Sequence, residues 1–78
     1  MDNELLKFEI FTRKVSQLLL QKVRSKEIDL TTQEINKTIM GDNIDKNGNS
    51  TYLINKDIKD KLPESILKEI HSYWLQNL

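Results

Sequence analysis

Apolar positions recur along this chain in three blocks, each with helical spacing. Leu5, Phe8, Phe11, Val15, Leu18, Leu19 and Val23 form a wide apolar arc, which predicts a long amphipathic helix over residues 3–26. Asp2 and Glu4 near its start and Lys22, Arg24 and Lys26 near its end complement the helix dipole. Phe8, Phe11, Val15 and Leu18 also fit a and d heptad positions, but Lys22 breaks the next one, so the run is too short for a coiled coil. Leu6 and Ile10 lie well away from the arc. A chain this small buries only about 60% of its unfolded surface, so these two residues are read as the contact of a homodimer.

In the second block, Thr31 is followed three residues later by Glu34, just ahead of Ile35 and Ile39. That is a capping-box pattern, and Leu30 before it can staple against Ile35. Gly41, after Met40, reads as the stop of a short helix over residues 32–40. A polar, turn-rich run from Asp42 to Asn49 follows. Ser50 or Thr51 then caps a further helix, on which Ile54, Ile58 and Leu62 recur every fourth residue. The competing reading starts from Asn47-Gly48, a hairpin signal flanked by Ile44-Asp45-Lys46 and by Ser50 to Ile54; Asn55 would then cap a shorter helix.

The third block begins at Pro63, whose missing N–H costs nothing in a first helical turn. Ile66, Ile70 and Tyr73 form one stripe, with Leu67, Trp74 and Leu78 beside it, which predicts a helix over residues 63–77. Ile28 and Leu30 plug the end of the core. The expected fold is all-α: one small three- to four-helix domain over residues 1–78, with a long N-terminal helix and a possible short β-hairpin around Asn47-Gly48.

On the helix expected after Ser50, Tyr52, Lys56 and Lys59 fall together, with Asn55 between them and the apolar stripe. An aromatic ring, an amide and two cations on one exposed arc suit a nucleic-acid groove, the cations for phosphate and the amide for a base edge. The stretch from Leu30 to Leu62 resembles the helix-turn-helix superfamily, winged-helix regulators in particular. The resemblance rests on Thr31, Glu34, Ile35, Gly41, Ser50, Thr51, Ile58 and Leu62. Its run from Gly41 to Asn49 is longer than the usual turn of about 3–4 residues. The resemblance implies a small DNA-binding transcriptional regulator, with Tyr52, Asn55, Lys56 and Lys59 entering the major groove. The competing expectation is a helical protein–protein interaction module, such as an inhibitor, antitoxin-like or assembly protein, that binds no nucleic acid.

Charge weighs against the first of these. Twelve cations balance twelve anions: six and five in residues 1–30, five and five in residues 31–62, and one and two in residues 63–78. No segment is polarised, and a strong non-specific nucleic-acid binder would be. Asp57 and Asp60 also stand on the expected groove-reading helix. The absence of Cys removes disulfide and zinc-thiolate staples. Asn43, Asp45, Asn47 and Gly48 match the start of a calcium loop, but Ser50 replaces its apolar residue and Ile54 its bidentate Glu, so no metal is expected. His71 is the sole histidine, the adjacent Ser72 projects elsewhere on a helix, and the two glycines form no phosphate loop. Neither an enzyme nor a cofactor is expected. With no signal pattern and no apolar run approaching about 20 residues, the expected location is cytoplasmic.

Overall fold

The structure, a computed structural model, describes residues 3–76, with side chains described from Leu6 onward. Asp2 and Leu78, and the side chains of Glu4 and Leu5, lie outside the described residues. The elements are α1 (Asn3–Arg24), α2 (Thr32–Asn36), β1 (Ile39–Ile44), β2 (Ser50–Ile54), α3 (Lys56–Lys59) and α4 (Glu64–Gln76).

α1 forms because its apolar arc finds a core: Phe11, Val15, Leu18 and Leu19 are all buried. It closes at Lys26, whose φ of 64° lies in the left-handed region. The Lys26 N–H donates to the Val23 carbonyl and the Glu27 N–H to the Lys22 carbonyl, each at 3.0 Å. This closure is usually given to glycine. Lys22 and Glu27 add an ion pair at 3.4 Å across it. Lys26 therefore lies past the helix rather than in its last turn.

α2 has both halves of the capping box. The Glu34 N–H donates to Thr31 Oγ1 at 3.1 Å, and the Thr31 N–H donates to Glu34 Oε1 at 3.0 Å. Leu30 and Ile35 are both in the core. The helix nevertheless ends at Asn36, not Met40. Thr38 is fully buried and satisfies its hydroxyl by donating to the Glu34 carbonyl at 2.9 Å, while the chain turns into β1. Gly41 is not a helix stop; it sits in β1 opposite Leu53, beside a register irregularity between Ile39 and Gly41.

The all-α class is thus corrected. Among the described residues the fold is mixed, four helices with a two-stranded antiparallel sheet, because residues 50–54 extend instead of coiling. Tyr52 pairs with Asp42, Thr51 with Asn43 and Ser50 with Ile44. The connection is built around Asp45 and Gly48. The Asp45 N–H donates to the Asn49 carbonyl at 2.9 Å and the Gly48 N–H to the Asp45 carbonyl at 3.0 Å. Asp45 Oδ1 accepts from the N–H groups of Asn47 and Asn49, and Gly48 takes the positive φ of 81° that the turn requires. The hairpin alternative is the one adopted, and with it Asn55 becomes the cap of the one-turn α3.

The core joins α1, Ile28, Leu30, Ile35, Ile58 and Leu62 to Ile66, Ile70 and Trp74 of α4. A two-stranded hairpin is marginal by itself. This one is held by Ile39, Tyr52 and Ile54, half-buried against that core. An ion pair between Lys61 and Glu34 ties the segment after α3 to α2.

Candidate functional site

Of the four residues expected to read DNA, Asn55, Lys56 and Lys59 lie on α3 and its cap and Tyr52 lies elsewhere. Tyr52 is on β2 and turns toward the helices, where its ring centroid lies 4.8 Å from that of Phe11 and 5.6 Å from that of Trp74. Phe11 and Trp74 meet edge-on at 5.0 Å. Such tilted and edge contacts are worth about 0.5–1.5 kcal/mol each beyond the area they bury. Asn55 is committed to α3, its Oδ1 accepting from the Asp57 N–H at 3.0 Å. Lys56 and Lys59 are exposed on that single turn, and neither is ion-paired among the described residues. Asn55, Lys56 and Lys59 stay together on this one turn, where the Lys59 N–H donates to the Asn55 carbonyl at 2.8 Å, and Tyr52 is parted from them. Leu6 and Ile10, the expected dimer contact, are exposed on α1.

The strand conformation of residues 50–54 creates a different site. Because Tyr52 points inward, its hydroxyl reaches His71 Nδ1 on α4 at 3.1 Å. Burial raises the Tyr52 phenol above its ordinary value, and the hydroxyl and Nδ1 share one hydrogen bond whose donor is set by the imidazole tautomer. The pairing of Tyr52 with His71 leaves the hairpin tip overhanging α4, and between them lies an open cleft of about 560 Å³.

One wall of this cleft is apolar, made by Trp74 and Leu75. The hairpin side offers Asn49, Ser50 and Thr51, and His71 stands on the helix side. Asp45 is the sole charged residue among those lining it, and one of its carboxylate oxygens already accepts two turn N–H groups. Ile44, which pairs with Ser50 in the hairpin, is 69% exposed, and Leu75 is 53% exposed. No group of three or more His, Cys, Asp or Glu side chains that could hold a metal occurs among the described residues. None of their helices is long and apolar enough to cross a membrane.

Sequence reasoning gave His71 no role and placed Trp74 beside the apolar stripe of the last helix, a face through which the interaction-module alternative would bind. A usable signal was the alternation of Tyr52 with Ile54, which turns both toward the core if the segment is a strand. Comparison with known proteins gives no match: no family model, no curated protein and no solved structure matches the chain.

Proposed function

We propose that the protein is a partner-binding module that takes a segment of another protein into the cleft between the hairpin tip and α4. The observation that supports this is the chemistry of the cleft, an apolar wall of Trp74 and Leu75 with hydrogen-bonding groups and the single carboxylate of Asp45, and with no Lys or Arg in the lining. A site for phosphate needs cations. A site for a peptide needs an apolar seat for one side chain and donors and acceptors for the backbone beside it. Asn49, Ser50, Thr51 and the His71 imidazole supply the latter. Ile44, exposed beside the seat, and Leu75, exposed within it, are apolar surface that a partner would cover.

The test uses immobilised protein and extract of its own host, with bound protein and bound nucleic acid both measured. Wild type and the double variant Lys56→Ala/Lys59→Ala are expected to capture the same protein, and Leu75→Glu to lose it. Trp74 is the only tryptophan, so the purified partner should also shift the intrinsic emission. If nucleic acid is retained by wild type and Leu75→Glu but lost by the double Lys variant, the module reading falls. The DNA-binding regulator then takes its place.

A further inference from the structure

We propose that the solvent side of α1 is a second interaction surface, through which two copies of this chain pair antiparallel. The surface lies on the opposite side of α1 from the core and is independent of the cleft reading. Leu6, Ile10 and Leu20 are 55%, 39% and 39% exposed, and they fall on one line with the exposed Arg13, Gln17 and Arg24. The spacing along that line is four, three, four, three and four residues. The line is apolar at Leu6, Ile10 and Leu20 and polar at Arg13, Gln17 and Arg24, a short helix–helix contact stripe that faces away from the rest of the fold.

The stripe is self-complementary in one direction only. Run antiparallel about its midpoint, Ile10 meets the partner's Leu20, and the same pair recurs at the symmetric position. Between these two apolar layers Arg13 meets the partner's Gln17, and the guanidinium can donate to the amide oxygen. At the ends Leu6 meets the alkyl stem of the partner's Arg24. Run parallel, Arg13 would meet Arg13 and Arg24 would meet Arg24. The helix dipole gives the same direction, since antiparallel pairing sets the two α1 dipoles in opposition. Lys14 flanks the midpoint and would approach its own copy. Two exposed ammonium groups diverge into water, and salt screens what repulsion remains. Six stripe positions per copy bury less than the roughly 1,200 Å² of a stable interface, so the dimer is weak and assembles at high protein concentration.

The chain has no cysteine, so introduced thiols report on the geometry without interference. Ile10→Cys, carrying a size tag, and Leu20→Cys are mixed and mildly oxidised. Facing stripe positions on helices about 8–10 Å apart lie within disulfide reach. The mixture is expected to give the tagged–untagged disulfide roughly tenfold above either variant's self-linked product, because two copies of position 10 lie about 15 Å apart along the antiparallel axis. Self-linking by each variant alone, as readily as in the mixture, would overturn the proposal. Sedimentation equilibrium of the unmodified chain is the second measurement. Its mean mass should rise toward the dimer at about millimolar protein and fall back in Leu20→Glu. A wild type that stays monomeric there overturns the proposal whatever the thiols do.

Discussion

Asn55→Ala should destabilise the fold by about 1 kcal/mol, within the usual range of about 0.5–2 for loss of an N-cap. The magnitude follows from what the side chain does. Its Oδ1 accepts the Asp57 N–H at 3.0 Å, one of the donors that a helix start leaves without an intrahelical partner. The Asn55 backbone is extended, at φ −62° and ψ 121°, and its own N–H donates to the Thr38 carbonyl at 2.8 Å. Alanine retains both features, so the substitution isolates the cap. α3 runs only from Lys56 to Lys59 and must still bury Ile58, which is 3% exposed. So short a helix has no propensity reserve to absorb the loss. Asn55→Asp keeps an oxygen at the cap and places its charge at a helix N-terminus, where it is favourable; it should match wild type or exceed it. Urea unfolding followed by far-UV circular dichroism reads the difference as a midpoint shift at unchanged slope. An Ala variant within about 0.3 kcal/mol of wild type, or an Asp variant as weak as Ala, would refute the capping role. An amide held out for a base edge would give the first of these results.

Two further outcomes follow from backbone and charge. Lys26→Gly should raise the melting temperature by a few degrees: relieving a left-handed residue at φ 64° gains about 1–2 kcal/mol, which the greater chain entropy of glycine offsets by about 0.5–1; a lowered melting temperature would contradict this. Glu34 is held below the ordinary carboxyl value of 4.5 by the hydrogen bond from Lys61 and then by that from the Thr31 backbone. A depressed folded pKa means that its contribution is present above the unfolded value and lost as pH falls through the folded one. Urea midpoints should therefore fall more steeply below pH 4.5 for wild type than for Glu34→Gln, and parallel curves would sink the assignment.

Features with a local cause were legible in the chain. The capping box needs only Thr31 and Glu34, and both of its hydrogen bonds are present. The arc of α1 and the stripe of α4 each need one amphipathic helix, and Phe11, Val15, Leu18, Ile66 and Ile70 are buried as expected. The middle of the chain failed for a specific reason. Ile54, Ile58 and Leu62 are spaced like a helical stripe and all reach the core, Ile54 half-buried and the other two buried. Yet they get there as a strand end, a one-turn helix and the turn after it. A spacing of four therefore reported burial correctly and local geometry wrongly. The β-branched and aromatic run of Thr51, Tyr52 and Ile54, read with Asn47-Gly48, carried the better signal.

That one misassigned element also explains why the site was hidden. On a helix, Tyr52 joins Lys56 and Lys59 on an exposed arc. On a strand it shares a face with Ile54, and the ring enters the cluster of Phe11 and Trp74 while its hydroxyl finds His71. The cations are then left behind on α3, and the aromatic that seemed to complete a groove-reading surface becomes the strut that holds the hairpin over α4. His71 is 19 residues from its partner in the sequence, beyond the reach of any helical or strand period. Its role follows only once the hairpin is folded back on the helix. Periodicity can state which residues leave water, but the pairing of two separately buried faces is a tertiary choice, and the cleft at the hairpin tip exists only as a product of that choice.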